Sequence, residues 1–421
     1  MDKPTTRIDA ETVKRVPLRG AFFTRPRFGD LGPRAQQERP RMINKYPLAA
    51  AMDDLMKALV EHQDGEAAPD KAPGTDDPDV MARQIKSLAY FLDVDMVGIC
   101  EVPEYAWYSH DGDGNEITPG HKYAIVMIFD QGFETMEGAS GDDWISGTQS
   151  YRAYLKGGIS GDVIANYIRR LGYPARCHSA AKGQVLQIPL MLLAGLGEMS
   201  RIGELVLNPF IGPRMKVCVV TTDLPMTVDK PIDFGLQDFC AKCYKCAREC
   251  PCNAIPFGDK VMFNGYETWK PDVENCAKYR VTNQKGSACG RCMKTCPLNK
   301  VVTRDGPIVQ RIASWLGINA TWLKPVMIRI AIWLDDLLGN GKRVKGQKWW
   351  PDLEYRDGRL VVPRGANRRD IDPGKPRPKN QKIALYPPED LPPGDCRECF
   401  PADRKKALRR AAEAAKPENK P

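Results

Sequence analysis

Short apolar runs alternate with stretches of helical periodicity in the middle of the chain. The segments DMVGIC, YAIVMIF and MKVCVVTT are apolar and partly β-branched, which is typical of strands that are buried on both faces. The segment MARQIKSLAYFL places Ile85, Leu88 and Leu92 on one face of a helix. Helices that alternate with buried strands predict an α+β or α/β body of about 150 residues.

A second helix is predicted ahead of the last of these strands. In GDVIANYIRRLGYP, the residues Ile164, Ile168 and Leu171 recur at helical spacing. Gly172 follows as the expected C-terminal stop, and Pro174 cannot continue the helix.

Composition divides the chain into five predicted segments. They are an Arg- and Pro-rich arm with a polar linker (1–77), the body (78–235), a cysteine-rich domain (236–302), helices that pack on the core (303–360) and a basic, Pro-rich tail (361–421). The apolar stretch within 308–338 is interrupted by Arg311, Lys324 and Arg329, so it predicts two core-packing or interfacial helices and no membrane span.

The length and the charge distribution of the chain limit the number of domains and the kinds of partner that we expect. A chain of 421 residues has room for two or three domains. The tail from Arg364 onward carries 15 Lys and Arg against 9 Asp and Glu, so six of the nine net positive charges lie there. The body is nearly balanced, which makes a nucleic-acid partner unlikely. The first thirty residues contain no apolar export segment and no twin arginine, which favours a cytoplasmic location.

Nine cysteines lie between positions 240 and 296, and eight of them form a doubled motif. FCAKCYKCARECP has the spacing C-x2-C-x2-C-x3-C-P, and CGRCMKTCP supplies a second run, with one more cysteine upstream of it. This spacing is typical of two [4Fe–4S] clusters, in which the fourth cysteine of a run ligates the other cluster. The predicted ligands are Cys240, Cys243, Cys246 and Cys296 for one cluster, and Cys250, Cys276, Cys289 and Cys292 for the second.

Other uses of these cysteines agree less well with the sequence. A disulfide framework does not suit a long chain without a secretion signal, and zinc sites usually show two separated CxxC pairs. Cys252 lies just past the first run and is interpreted as a bystander. Cys396 and Cys399 form an isolated CxxC, which is a weak metal or redox signal.

Three blocks of sequence carry a resemblance to known proteins. They read IANYIRRLGYPARCH, AGLGEMSRIGELVLNPFIGPRMKVCVVTTDLPM and KPIDFGLQDFCAKCYKCARECPCNAIPFG. In this order, between about residues 82 and 300, they resemble the corrinoid-dependent reductive dehalogenases of the cytoplasmic, catabolic type. Epoxyqueuosine reductase shares the framework more weakly. The resemblance implies an α+β fold, in which a nitroreductase-like cobalamin-binding domain precedes a ferredoxin-like domain with two [4Fe–4S] clusters. It also implies that cobalamin binds base-off.

The resemblance implies that cob(I)alamin reductively dehalogenates an organohalide, here a halogenated aromatic compound. The net reaction is C–X + 2e⁻ + H⁺ → C–H + X⁻. In the matching positions, Tyr154 is the expected proton donor and Lys216 its activator and a halide contact. Arg280 is the expected clamp for an anionic group of the substrate. Tyr151, one helical turn before Tyr154, is the alternative acid.

Gly195, Gly197, Gly212 and Arg214 are the candidate corrin contacts. Glycine lets the backbone approach a flat ligand closely, although turn glycines give the same pattern.

The sequence leaves two alternative functions open, and it also bears on the source of electrons. An epoxyqueuosine reductase-like tRNA-modifying enzyme would use an aspartate as proton donor where this chain has Tyr154. A non-catalytic iron–sulfur electron-transfer protein would need only the cysteines. The 125 residues after Cys296 are too few for a reductase module, so an external ferredoxin, flavodoxin or reductase is the expected electron donor.

Overall fold

A computed structural model gives the fold of the chain. It describes residues 1–44, 47–139, 144–283, 289–302, 308, 311–312, 315, 319, 324–356, 358–362 and 370–416. All fourteen cysteines and all of the sequence-predicted site residues lie within these ranges.

The body is built on a four-stranded antiparallel sheet. Its strands are β1 (Met96–Glu101), β2 (Tyr123–Asp130), β3 (Ala175–His178) and β6 (Met215–Thr222), in the order β1–β2–β6–β3. The three strands predicted from apolar runs are therefore confirmed as β1, β2 and β6. The central pair, β2 and β6, is in register over its full length, from Tyr123 opposite Thr222 to Asp130 opposite Met215.

Both faces of the sheet are covered, which explains why the strand sequences are continuously apolar. Successive side chains of β2 alternate between two hydrophobic clusters, one on each face. Ile125, Met127 and Phe129 belong to the first cluster, and Ala124, Val126 and Ile128 to the second.

Two helices, α3 (Pro78–Phe91) and α5 (Ile145–Arg170), cover the first face of the sheet. The predicted apolar face of α3 is confirmed, because Ile85 is fully buried in the first cluster. Asp77 caps α3 by accepting hydrogen bonds from the amides of Asp79 and Val80. The second predicted helix is the C-terminal half of α5, which ends just before Gly172 with its φ of 84°.

The remaining elements surround this core and form the cysteine-rich domain. The helices are α1 (Pro33–Asn44), α2 (Pro47–Ala58), α4 (Phe133–Gly138), α6 (Gln187–Leu193), α7 (Leu236–Cys243), α8 (Lys245–Arg248), α9 (Val273–Thr282), α10 (Arg291–Lys294), Lys324–Leu337 and Arg404–Ala414. The short strands are β4 (Glu198–Met199), β5 (Val206–Leu207), β7 (Val261–Phe263), β8 (Tyr266–Thr268), β9 (Glu354–Arg356) and β10 (Arg359–Val361).

A buried ion network holds the N-terminal arm against the rest of the molecule. Asp30 accepts hydrogen bonds from Arg19 at 2.7 and 3.0 Å and from Arg25 at 3.1 Å. Arg25 also pairs with Glu274 of α9 at 3.2 Å. The amide of Phe400 donates to the Asp30 carboxylate at 2.9 Å. One carboxylate therefore joins the N-terminal arm to the C-terminal segment, and its partner Arg25 extends the network to α9.

Replacing Asp30 with asparagine is expected to lower the free energy of unfolding by about 3–5 kcal/mol, because it leaves the buried guanidinium of Arg19 without its carboxylate and removes one of the two carboxylates that pair with Arg25. The denaturant midpoint, followed by circular dichroism, measures the effect. The matched control is Asp113→Asn, which removes an exposed pair with Lys182 and should cost less than about 1 kcal/mol. Equal shifts for the two variants would contradict this role of the network.

The helix Lys324–Leu337 packs against α7 and buries acidic residues as well as the apolar Ile328. Its acidic residues face inward, where Asp335 and Asp336 pair with Lys245, and Asp336 also pairs with Arg248 at 2.8 Å. Several of its other apolar residues face outward, and Trp333 is 62% exposed. The other predicted helix of this region lies largely outside the described residues. Within the described part of the chain, no helix is both long and apolar enough to cross a membrane.

Candidate active site

Small residues bring α5 unusually close to the sheet. Ala153, Gly157 and Gly161 follow at four-residue intervals and lie on one helical face. A Cβ at Gly157 would lie 3.0 Å from the Cβ of Cys218, and a Cβ at Gly161 would lie 2.8 Å from its Sγ. Side chains on the neighbouring face of α5 can therefore reach residues of β6.

Tyr154 and Lys216 meet at this contact. Lys216 points to the same face of β6 as Cys218, because strand side chains alternate, and this is the face that α5 covers. Its Nζ lies 4.9 Å from the ring centroid of Tyr154, and both side chains are half-buried. The structure therefore brings together the tyrosine and the lysine that the sequence singles out.

Two further tyrosines lie beside Tyr154. Burial raises the pKa of Tyr108 to about 12, and Tyr154 adds to this shift. Burial, followed by the nearby Asp53, also raises the pKa of Tyr151. Both phenols are therefore held protonated at neutral pH. Tyr108 was not predicted, because it lies outside any helical or strand pattern in the sequence.

Arg280 lies on α9, next to the N-terminal arm. Its guanidinium carbon is 4.3 Å from the ring centroid of Phe23, and its Nε is buried without a hydrogen-bond partner among the described residues. One turn earlier on α9, Cys276 belongs to a cysteine group, and Cys252 and Arg280 both lower its pKa. Arg280 is therefore placed between Phe23 of the arm and that cysteine group, and its role toward a substrate stays a prediction.

The first cysteine group surrounds a cavity with an empty volume of about 290 Å³. Its lining includes all four ligands predicted for the first cluster, Cys240, Cys243, Cys246 and Cys296. Burial raises the pKa of Cys240 to about 11. Burial also raises the pKa of Cys246, and the neighbouring Cys240, Cys243 and Cys296 add to that shift. Four thiols around one cavity form the donor set of a [4Fe–4S] cluster.

Arg201 fixes the backbone of this first group. It is almost fully buried, and its Nε donates to the carbonyl of Cys240 at 2.7 Å while its Nη1 donates to the carbonyl of Pro256 at 2.9 Å. Its guanidinium also lies 4.3 Å from the ring centroid of Tyr244. A fixed cation beside the group would favour bound thiolates.

The second cysteine group is formed by Cys250, Cys276, Cys289 and Cys292. Burial raises the pKa of Cys292, and the other three members raise it further, so the four thiols are neighbours. This is the grouping that the sequence predicts for the second cluster.

Cys252 is also a neighbour of this second group. Its Sγ lies 3.8 Å from that of Cys250. This contact, together with a hydrogen bond from the amide of Ala254, lowers the pKa of Cys250, whereas the same contact raises the pKa of Cys252. Cys250 is therefore the thiol that more readily becomes a thiolate, and its role as a cluster ligand stays a prediction.

The spacing within the two groups is unlike that of a mononuclear site. Within the ranges that the structure describes, no three His, Cys, Asp or Glu side chains are close enough to hold a single metal ion. Zinc requires all of its ligands around one ion, whereas the four thiolates of a cubane bind different irons and are more widely separated.

The three predicted glycine contacts are packed against the protein itself. Gly195, Gly197 and Gly212 leave no space for a Cβ. The atoms in the way are the carbonyl oxygens of Lys230, Leu207 and Leu298, at 2.3, 2.1 and 2.1 Å. These glycines allow close approach of the chain's own backbone, and their contact with a corrin stays a prediction.

Arg214 is similarly engaged within the protein. It is buried, with Nε 2.9 Å from a carboxylate oxygen of Asp130 and Nη1 2.8 Å from the carbonyl of Lys300. Its guanidinium joins the end of β2 to the cysteine-rich domain. A corrin contact at Arg214 also stays a prediction.

A second cavity, with an empty volume of about 190 Å³, lies between α5 and the second cysteine group. Gln149 and Cys289 line it, and the Oε1 of Gln149 is buried without a hydrogen-bond partner in the described structure. A buried amide oxygen without a donor is costly, and the amide side arms of a corrinoid would supply one. A cavity of this size has room for one amide side arm of a corrinoid but not for its macrocycle, so the position of cobalamin stays a prediction.

Comparisons with known proteins find similarity to reductive dehalogenases. No family model matches the chain. It is 34% identical over 196 residues to the tetrachloroethene reductive dehalogenase of Sulfurospirillum multivorans, a match that covers 44% of this chain and 36% of that protein. The catabolic reductive dehalogenase NpRdhA is 50% identical, and its structure superposes with a TM-score of 0.92 over 99% of this chain. The chain is a relative of the reductive dehalogenases.

The structures of these dehalogenases include a complex of NpRdhA with 3-bromo-4-hydroxybenzoic acid. Another is described as suggesting a mechanism for B12-dependent dehalogenation. A weaker sequence match, 27% identity over 154 residues, is to the epoxyqueuosine reductase of Salmonella typhimurium. The chain spans about 60% of the matched NpRdhA chain and a little over a third of the tetrachloroethene reductive dehalogenases.

Proposed function

We propose that the chain catalyses the reductive dehalogenation of a halogenated aromatic compound, with base-off cobalamin as the reacting cofactor. Cobalamin, when bound, supplies the reduced cobalt centre on which carbon–halogen cleavage depends. The net reaction is C–X + 2e⁻ + H⁺ → C–H + X⁻. The observation that carries the proposal is the pairing of Lys216 with Tyr154, because an electron relay alone needs neither residue.

Tyr154 is the proposed proton donor. A tyrosine is protonated at neutral pH, so its hydroxyl can supply the proton that the product carbon gains. The ammonium group of Lys216 lies 4.9 Å from the centre of the ring, where it stabilises the negative charge that remains on the phenol oxygen. The same charge favours a departing halide. Solvent restores the proton to Tyr154 after turnover.

Electrons reach the site through the two cysteine groups in this proposal. Cys240, Cys243, Cys246 and Cys296 would hold one [4Fe–4S] cluster, and Cys250, Cys276, Cys289 and Cys292 the other. Cys289 also lines the cavity that contains Gln149, so the second group is adjacent to the proposed corrinoid position. An external ferredoxin, flavodoxin or reductase would supply the electrons.

Anaerobic expression with added cobalamin provides the direct test. We expect about one cobalt and eight irons per chain, and bromide release from 3-bromo-4-hydroxybenzoate with a chemically reduced dye as electron donor. Metal analysis and ion chromatography measure the two outcomes separately.

The rival functions predict different results in the same preparation. If the chain binds iron but no cobalt, under conditions that load a known corrinoid protein, the result would favour a non-catalytic electron-transfer protein. Full loading with reduction of an epoxyqueuosine-containing tRNA stem loop, and no bromide release from brominated phenols, would indicate the tRNA-modifying alternative.

A further inference from the structure

The helix Lys324–Leu337 exposes a row of large apolar side chains. Val326, Ile330, Trp333 and Leu337 recur at intervals of three or four residues, which places them on one side of the helix. Val326, Trp333 and Leu337 are 62, 62 and 67% exposed. We call these four residues the apolar face. An exposed apolar surface of this kind is typical of a site that contacts another molecule.

The inner side of the same helix lies against the first cysteine group. The helix packs on α7, which carries Cys240 and Cys243. Its Asp335 pairs with the buried Lys245, which lies between Cys243 and Cys246 in the sequence. The apolar face is therefore the outer side of a helix that covers the first cysteine group.

The first cysteine group is also the group that would receive electrons first. Cys289 of the second group lines the cavity that contains Gln149, whereas no thiol of the first group is among the described residues that line it. In the proposed electron path, the second group is therefore nearer to the reaction and the first group nearer to the donor. Because electron transfer slows steeply with distance, a donor protein must bind close to the first group.

The exposed charges around the apolar face are all positive. In the segment 326–349, the fully exposed charged side chains are Arg329, Lys342 and Lys345, and none of these three forms an ion pair within the described part of the chain. The two acidic residues of this segment face inward and are already paired with lysine and arginine. Unpaired cations around an apolar centre are complementary to an acidic partner, and they attract it over a long range.

We propose that the apolar face and the cations around it form the docking surface for a small acidic ferredoxin. The inference rests on the proposed function and names the surface through which the first cysteine group receives its electrons. In each encounter the ferredoxin is oxidised by one electron and the cluster of the first group is reduced by one. Two encounters therefore supply the two electrons of the net reaction.

The position of the surface favours a ferredoxin over a lipid bilayer. A bilayer also accepts tryptophan, leucine and basic side chains, but it does not require them to lie over a cysteine group. An apolar centre inside a charged rim is typical of protein interfaces, in which the opposite charges speed association and the apolar contact excludes water.

Binding of an acidic plant-type ferredoxin to the metal-loaded protein is the first test. Isothermal titration calorimetry should show binding that weakens as salt is added, because exposed charges are screened. The double variant Trp333→Gln/Leu337→Gln should weaken binding about tenfold or more, as is typical of a tryptophan at the centre of an interface. Phe91→Gln, which changes an exposed apolar residue of α3, is the matched control and should bind like the parent protein.

The rate of cluster reduction, followed by stopped-flow absorbance without any halogenated substrate, is the second test. Reduced ferredoxin should react about tenfold more slowly with Lys342→Glu/Lys345→Glu than with the parent protein. Reduced methyl viologen, which is a small cation, should react with this variant at least as fast as with the parent protein. Arg83→Glu, an exposed charge reversal on α3, should match the parent protein with ferredoxin.

Several results would overturn the docking surface. They are no binding of ferredoxin to the parent protein, binding that does not depend on salt, and equal losses in the variants and their controls. If Trp333→Gln/Leu337→Gln binds ferredoxin normally but loses binding to anionic phospholipid vesicles, or loses self-association, the apolar face belongs to a lipid surface or to a second copy of the chain.

These measurements also separate the docking surface from the proposed function. If ferredoxin reduces the clusters through this surface but the parent protein releases no bromide, the surface stands and the proposed reaction fails. If a reduced dye supports bromide release but ferredoxin does not bind, the reaction stands and the docking surface is wrong.

Discussion

Replacing Tyr154 with phenylalanine is expected to lower the rate of dehalogenation at least about a hundredfold, the contribution typical of a positioned general acid. The ring and its contact with Lys216 at 4.9 Å would be kept, so only the proton of the hydroxyl is lost. Iron and cobalt contents should stay at the parent values, because Tyr154 belongs to neither cysteine group. Single-turnover bromide release, measured beside metal content, gives the effect on the chemical step.

Two further tyrosine variants make this result specific. Tyr151→Phe tests the alternative acid one turn away, which burial holds protonated, and it should have a much smaller effect on the chemical step. Tyr167→Phe changes a half-buried tyrosine farther along α5, packed against the first core cluster, and serves as the matched control. A large loss with Tyr151→Phe and parent-like rates with Tyr154→Phe would transfer the acid role to Tyr151.

The core of the fold could be predicted because its strands are buried on both faces. β2 and β6 are apolar at nearly every position, since one set of side chains contacts α3 and α5 and the other contacts the opposite cluster. The first half of α5 was missed, because GGIS and neighbouring small residues lower helix propensity. Gly157 is accommodated because it faces β6, which is a tertiary effect that a local pattern does not show.

The N-terminal arm shows a different limit of sequence reasoning. Its Arg and Pro content indicated an irregular segment, yet it contains α1 and α2, and Pro40 lies within α1. The contacts that order the arm are long-range, such as those of Asp30 with Phe400 and of Arg25 with Glu274. The ion network around Asp30 was therefore not predicted, because its members come together only when the arm packs against α9 and the C-terminal segment.

The parts of the candidate site that could be predicted from the sequence are those in which the spacing of residues along the chain determines which side chains lie together. The C-x2-C-x2-C-x3-C-P run determines locally which thiols can share a cluster, and the two groups in the structure follow that assignment. Lys216 and Tyr154 were singled out by resemblance, and the structure brings them together. Tyr108 and Gln149 carried no comparable signal, because each gains its neighbours only through packing.

Replacing Cys246 with serine is expected to remove about half of the bound iron, that is about four of eight irons, and to abolish dye-dependent dehalogenation. Cys246 lines the first cavity with three other thiols, so its loss leaves that cluster with three of its four ligands. The second group shares none of these residues and should keep its cluster. Cys292→Ser should likewise remove about half of the iron, from the second group. Iron analysis and electron paramagnetic resonance of the reduced protein measure both variants.

Cys252→Ser is the matched control, because it changes a cysteine that touches the second group without being a predicted ligand. Its Sγ is 3.8 Å from that of Cys250, so this variant tests whether changing any cysteine close to the second group lowers the iron content. Parent-like iron content is expected, since the hydrogen bonds that lower the pKa of Cys250 favour that thiolate over Cys252. Loss of half the iron with Cys252→Ser, and no loss with Cys250→Ser, would show that Cys252 and not Cys250 is the ligand. Full iron retention with Cys246→Ser would contradict the assignment of the first group.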